Sequence, residues 1–131
     1  MRTKLFLINL QNYKMFQVTR IYSDSNGDSH FEDFEICLND AGSIGRTSDV
    51  LPAKAVVFRE VEPSYDWDFH HAPQKQYIIL LDGEIEIETS LGKKRIFKSG
   101  EVLLVEDTTG KGHKTRNLQP IKRKSIFITL P

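Results

Sequence analysis

The chain is short of most features that mark a specialised class. It has one cysteine, Cys37, in 131 residues, so no intramolecular disulfide can form and no cysteine-based zinc cluster is available. A reducing compartment, the cytoplasm, is the expectation. Charge of one sign is also missing. Eighteen Lys and Arg stand against eighteen Asp and Glu, without the basic excess that marks a nucleic-acid binder. No apolar run approaches the roughly 20 residues of a membrane span, because charged residues interrupt each of them. The stretch Leu5 to Leu10, behind Met1, Arg2 and Lys4, includes Asn9 and runs into Gln11, Asn12, Tyr13 and Lys14. It is too short for an export signal and lacks a small-residue cleavage site. The expectation is a soluble protein with no nucleic-acid and no membrane partner. Repeats, low-complexity tracts and linkers are absent too, which implies one domain over 1–131. Residues 1–14 read as an N-terminal extension or an added edge strand, and Met15 as an alternative start.

The 39% hydrophobic content is enough for a single core. Its apolar residues follow period two rather than 3.6, and turn signals recur every eight to twelve residues, so the fold class is all-β with little or no helix. Met15 to Ser23 and His30 to Leu38 read as strands of a hairpin around Ser25, Asn26, Gly27 and Asp28. Asn39 to Pro52 reads as a loop. Ala53 to Val61 resumes a strand with Val56, Val57 and Phe58 in the core, closed by Pro63. In Glu84 to Glu88 strict alternation sends Ile85 and Ile87 inward and three glutamates to a solvated face. Further strands are expected at Tyr77 to Leu81, Arg95 to Lys98, Glu101 to Val105 and Ser125 to Leu130. Cys37, in an apolar strand with no neighbouring base, reads as an inert core thiol.

Chemistry is best sought at the four histidines, since neutral imidazole is the commonest metal ligand. His30 belongs to the first hairpin and reads as a surface residue. The others fall in two segments, 65–76 and 100–117, separated by β-structure of a length that can bring two strands across one cavity. Strand parity turns His70 and His71 to opposite faces unless a bulge intervenes, so one of the two is not a ligand. Tyr65, Trp67, Phe69 and Tyr77 are candidates to line the cavity mouth, with Trp67 the best placed to stack on a planar or sugar ligand. The glycines of Gly110-Lys111-Gly112 permit close backbone approach to a ligand, yet the segment lacks the first glycine and the Ser or Thr of a phosphate loop. Lys111, Lys114, Arg116, Lys122, Arg123 and Lys124 make a basic C-terminal third, read as a solvated face or an anion site.

From about Ala53 to Leu130 the sequence resembles the cupin superfamily. His71, four residues, Gln76, six residues and Gly83 match the latter part of the first cupin motif; Gly100 opens the second, and His113, three residues and Asn117 close it. The stretch Asp107 to His113, Asp-Thr-Thr-Gly-Lys-Gly-His, resembles a subgroup of small single-domain cupins without an established activity. The resemblance implies a small antiparallel β-barrel or jelly roll, a homodimer, and a small-molecule ligand in a histidine-lined cavity. It further implies one divalent metal (Fe, Mn, Ni or Zn) on His71 or His70, Gln76 and His113. Two replacements weaken or abolish that site: Phe69 stands where the first motif histidine belongs, and Gln76 where the motif has a glutamate. An amide brings no negative charge to offset the ion in a low-dielectric cavity. Trp67, Tyr77, Asp107 and Lys111 are the expected ligand-binding residues. Two enzymatic alternatives accompany the binding reading. One is a metal-dependent dioxygenase. The other is a metal-free sugar-nucleotide isomerase or epimerase, in which a histidine acts as base with Asp107 as its acidic partner and Lys111 holds phosphate.

Overall fold

The computed structural model describes residues 16–131, in which twelve strands form two facing sheets and one small hairpin. The strands are β1 (Phe16–Ser23), β2 (Ser29–Ile36), β3 (Asn39–Asp40), β4 (Arg46–Thr47), β5 (Ala55–Val61), β6 (Asp66–His70), β7 (Gln76–Leu80), β8 (Glu84–Thr89), β9 (Lys94–Lys98), β10 (Val102–Val105), β11 (His113–Asn117) and β12 (Arg123–Thr129). The larger sheet has the order β2-β1-β10-β7-β12-β5 and the smaller β6-β11-β8-β9, while β3 and β4 pair with each other. Neither large sheet closes on itself, so of the expected barrel and jelly roll the fold is the jelly-roll kind. The only helical turn among the described residues is a 3₁₀ turn at Gly42–Ile44, and none of them forms a helix long and apolar enough to cross a membrane. The proposed N-terminal extension and the alternative start at Met15 lie outside the described residues.

Period-two patterning accounts for the core. Ile85 and Ile87 of β8 are buried with Ile21, Leu80, Phe97, Leu103 and Val105, each such side chain contributing about 1.5–3 kcal/mol. Alternating with them, Glu86 pairs with Arg116 at 2.9 Å and Glu88 with Lys94 at 3.8 Å, on the outward face expected of those carboxylates.

Three expectations are corrected. The pairing is not antiparallel throughout, because β1 runs parallel to β10, with Thr19 opposite Leu103 and Ile21 opposite Val105. Val56, Val57 and Phe58 are not core: they are 55%, 45% and 79% exposed, because β5 is the edge of the larger sheet and pairs only with β12. Cys37 is exposed, since β2 ends one residue earlier at Ile36.

Candidate functional site

A cavity of about 260 Å³ lies between the sheets. Its floor is apolar: Ile78, Leu80, Leu103 and Val105 from the larger sheet, Ile85 and Ile87 from the smaller. The polar groups stand at its ends and rim, and include Gln76, His70, His113, Thr115, Trp67, Tyr65, Arg59 and Arg123.

His70 reaches this cavity through an irregularity in its strand. His113 pairs with His70, but Thr115, two residues on, pairs with Trp67, three residues back. The extra residue in β6 is a bulge, and it turns His70 to the same side as Trp67. Their rings stack at 3.6 Å and 10° between planes, and the His70 ring lies 4.7 Å from that of His113. His70 Nδ1 donates to the Asp68 carbonyl at 2.9 Å, because a carbonyl can only accept, which leaves Nε2 with a lone pair. Burial holds this imidazole below the usual histidine pKa, opposed in part by the Asp68 bond.

His113 is 5% exposed, and its partner Asp107 is fully buried. Asp107 Oδ2 lies 2.6 Å from His113 Nδ1. A carboxylate accepts, so Nδ1 carries the proton and Nε2 is left with its lone pair. Asp107 is fixed from the backbone side, its carbonyl accepting from Ala72 N at 2.9 Å. Its other oxygen, Oδ1, has no partner among the described residues.

The glycine-rich turn between these two residues has a different function from the one its sequence suggests. A Cβ on Gly112 would lie 1.9 Å from the His70 carbonyl oxygen, and one on Gly110 would lie 2.5 Å from that of Gly27; both glycines have positive φ, +72° and +81°. They approach the protein's own backbone. Lys111 between them donates its N–H to Gly27 O at 2.9 Å and extends its ammonium to Asp28 Oδ1, also at 2.9 Å.

The cavity thus brings together His70, Gln76, His113 and Trp67, with Asp107 buried behind His113. His71 is exposed, its Nδ1 3.4 Å from the Ala72 carbonyl. Tyr77 and Lys111 do not line the cavity, Tyr77 because it alternates with Gln76 along β7. Phe69 points outward at the bulge, beneath Lys114. Two lining residues escape a reading centred on histidines. Arg123 sits within a basic run yet is 2% exposed. Arg59 is a lone cation in the apolar β5, and that inward parity was the available signal.

Among the described residues no three His, Cys, Asp or Glu side chains form a group able to hold a metal ion. The strongest candidate ligands facing the cavity are two imidazoles and an amide, and the Asp107 carboxylate behind them is already bonded to His113.

No protein-family model matches the chain, and no curated protein does either. Solved structures with a similar course include a cupin-2 domain containing protein from Shewanella frigidimarina, at 16% identity and a TM-score of 0.44, covering 100% of this chain and 99% of that one. Protein NMB1881 from Neisseria meningitidis is similar at 12% identity and 0.44, covering 95% of both chains. The capsular polysaccharide assembling protein CapF from Staphylococcus aureus is similar at 13% and 0.45, over 75% of this chain and 29% of that one. Likeness at this level carries no argument about the site or its chemistry.

Proposed function

We propose that the chain binds a small organic molecule between its sheets and moves a proton on it, with His113 as the base and Asp107 as the residue that orients it. The observation behind this reading is the 2.6 Å bond from His113 Nδ1 to the buried Asp107 carboxylate. Such a partner fixes the tautomer, holds the ring, and stabilises the imidazolium that forms when Nε2 takes a proton. The matching reaction is isomerisation or epimerisation beside a carbonyl. The C–H bond breaks, its proton goes to Nε2, its electron pair moves to the carbonyl oxygen as an enolate, and the proton returns to a different carbon or face. Gln76 and Thr115, both lining the cavity, carry donors for the enolate oxygen. General acid–base catalysis of this kind contributes about 10²- to 10⁴-fold.

The metal-dependent alternative is less well supported, because two imidazoles and an amide bring no negative charge to offset a divalent ion in a low-dielectric cavity, and no carboxylate joins them in a metal-holding group among the described residues. A whole nucleotide sugar is also a poor fit. The 260 Å³ cavity lies just below the roughly 300–1,000 Å³ of typical ligand sites, so such a substrate would leave most of itself outside.

Two measurements on protein purified without a metal-affinity tag test the reading. Long-range ¹H–¹⁵N spectra should show His113 protonated at Nδ1 in the parent and altered in Asp107→Asn. In D₂O, a panel of short keto and hydroxy acids should include one that gains deuterium beside its carbonyl, with the exchange lost in His113→Gln. A stoichiometric metal that disappears in His113→Ala, or a His113 protonated at Nε2, would overturn it.

A further inference from the structure

Among the described residues the two arginines that line the cavity have no ion-pair partner. Arg123 is buried, and its one hydrogen bond among the described residues runs from Nε to Asn117 Oδ1 at 2.8 Å. Its two terminal nitrogens are left over. Arg59 has neither a hydrogen bond nor an ion pair among the described residues and rests on rings instead, its guanidinium carbon 4.8 Å from the Tyr65 centroid and 5.1 Å from that of Phe127. Arg123 approaches the same tyrosine at 5.8 Å. Buried polar groups are ordinarily satisfied, and Lys, Arg and their acidic counterparts are rarely buried without a partner. Here two guanidinium groups approach one ring in one cavity, and among the described residues no carboxylate lies within ion-pair distance of either, Asp82 acting on Arg123 only from farther away.

A third group at this end is also unsatisfied. Ser125 follows Arg123 by two residues on β12 and pairs with Arg59 across the strands, so the three share a face. Its hydroxyl is buried without a partner among the described residues.

We propose that Arg59 and Arg123 form a binding site for the oxyanion of the cavity's ligand, a carboxylate or a phosphate, so that the ligand is a small organic acid rather than a neutral molecule. The planar guanidinium fork suits either group, and a charge-assisted bond there is stronger than one between neutral partners. Burial, and secondarily the Arg59 cation, push the Arg123 pKa down; an anion set between the two would relieve both effects. The geometry also gives the site a direction. His113 and Asn117, the residue that holds Arg123, are four residues apart on β11, about 13 Å along the strand. The arginines therefore bind one end of the ligand while its other end faces His113. The inference rests on the cavity being a ligand site and does not depend on the chemistry at His113.

The test titrates ¹⁵N-labelled protein with three probes that share a ring, namely benzoate, phenyl phosphate and the neutral benzamide, following cavity resonances and the arginine Nε signals. Benzoate or phenyl phosphate should bind at least tenfold more tightly than benzamide and shift both arginine signals; which acid binds better decides between carboxylate and phosphate. Arg59→Gln should reduce acid binding about tenfold and leave benzamide unchanged. Arg59→Lys, which keeps the charge and loses the fork, should fall between. Because Arg59 is on an edge strand, these variants test the site even if Arg123→Gln does not fold. Equal binding of all three probes, or acid binding unaffected by Arg59→Gln, overturns the oxyanion site while leaving the cavity as a ligand site. Failure of all three to perturb the cavity at millimolar concentration overturns both.

Discussion

Replacing Gly112 with alanine should damage the site without touching any side chain in it. Two costs act at this position. The first is conformational: φ is +72°, and an L-residue in the left-handed region costs roughly 1–2 kcal/mol. The second is steric. The new methyl would lie 1.9 Å from the His70 carbonyl oxygen, 2.2 Å from its carbon and 2.5 Å from His71 N, all backbone atoms that cannot swing away. Relief requires β6 and β11 to separate by about an ångström, which loosens their pairing and draws the His70 ring from that of His113. Gly92 supplies the control, with φ +85° and nothing within 4 Å of its added Cβ. Gly92→Ala should therefore cost only the conformational term. Gly112→Ala should cost roughly 3–5 kcal/mol, at the upper end of what single substitutions cost. Urea denaturation of both variants measures the difference, and the shift of the His70 and His113 ring signals reports the separation. Stabilities within about 1 kcal/mol of each other, with unmoved ring signals, would refute the close approach.

Acidification should weaken the fold through His70. Its pKa lies below the ordinary value because of burial, so between that lowered value and about 6.5 the unfolded chain binds more protons than the folded one, and stability falls as pH falls through about 6.5. Urea midpoints at pH 7.5 and 5.5 should differ less in His70→Gln than in the parent; an equal difference would remove His70 as the source. Strand parity in β9 can be tested by two neighbours. Phe97→Ala, at a buried side chain, should cost about 3–5 kcal/mol, whereas Ile96→Ala, at an exposed one, should stay within about 0.5 kcal/mol; comparable losses would mean the register is wrong.

The all-β class and the inward set of β8 were legible because hydrophobic burial writes itself as alternation. Alternation is silent where the inner face is polar. β11 reads His-Lys-Thr-Arg-Asn with no apolar residue; it is a strand through its pairing with β6 and β8, and its inner residues His113 and Thr115 face a cavity. The converse error occurred at β5, where Val56, Val57 and Phe58 look like core but belong to an edge strand, a fact of sheet order that no local pattern carries. The histidine pair was legible only as a choice. Period two separates His70 from His71, and which faces inward depends on a bulge fixed by pairing with β11. The glycines of the 110–112 turn signalled a close approach, and the tertiary fold decided that the approaching group is backbone.

The position of β12 bears on how the protein is made. This last strand lies inside the larger sheet, between β7 and β5, and carries Arg123, Ser125 and Phe127 to the inner face. Until it is in place, β7 and β5 cannot be joined and the arginine end of the cavity has no wall. The parallel partner of β1 likewise arrives only with β10. During synthesis the earlier strands emerge with open hydrogen-bonding edges and must wait for distant partners, so folding should be slow. In that interval the exposed valines and Phe58 of β5 are the segment most open to capture by another nascent chain.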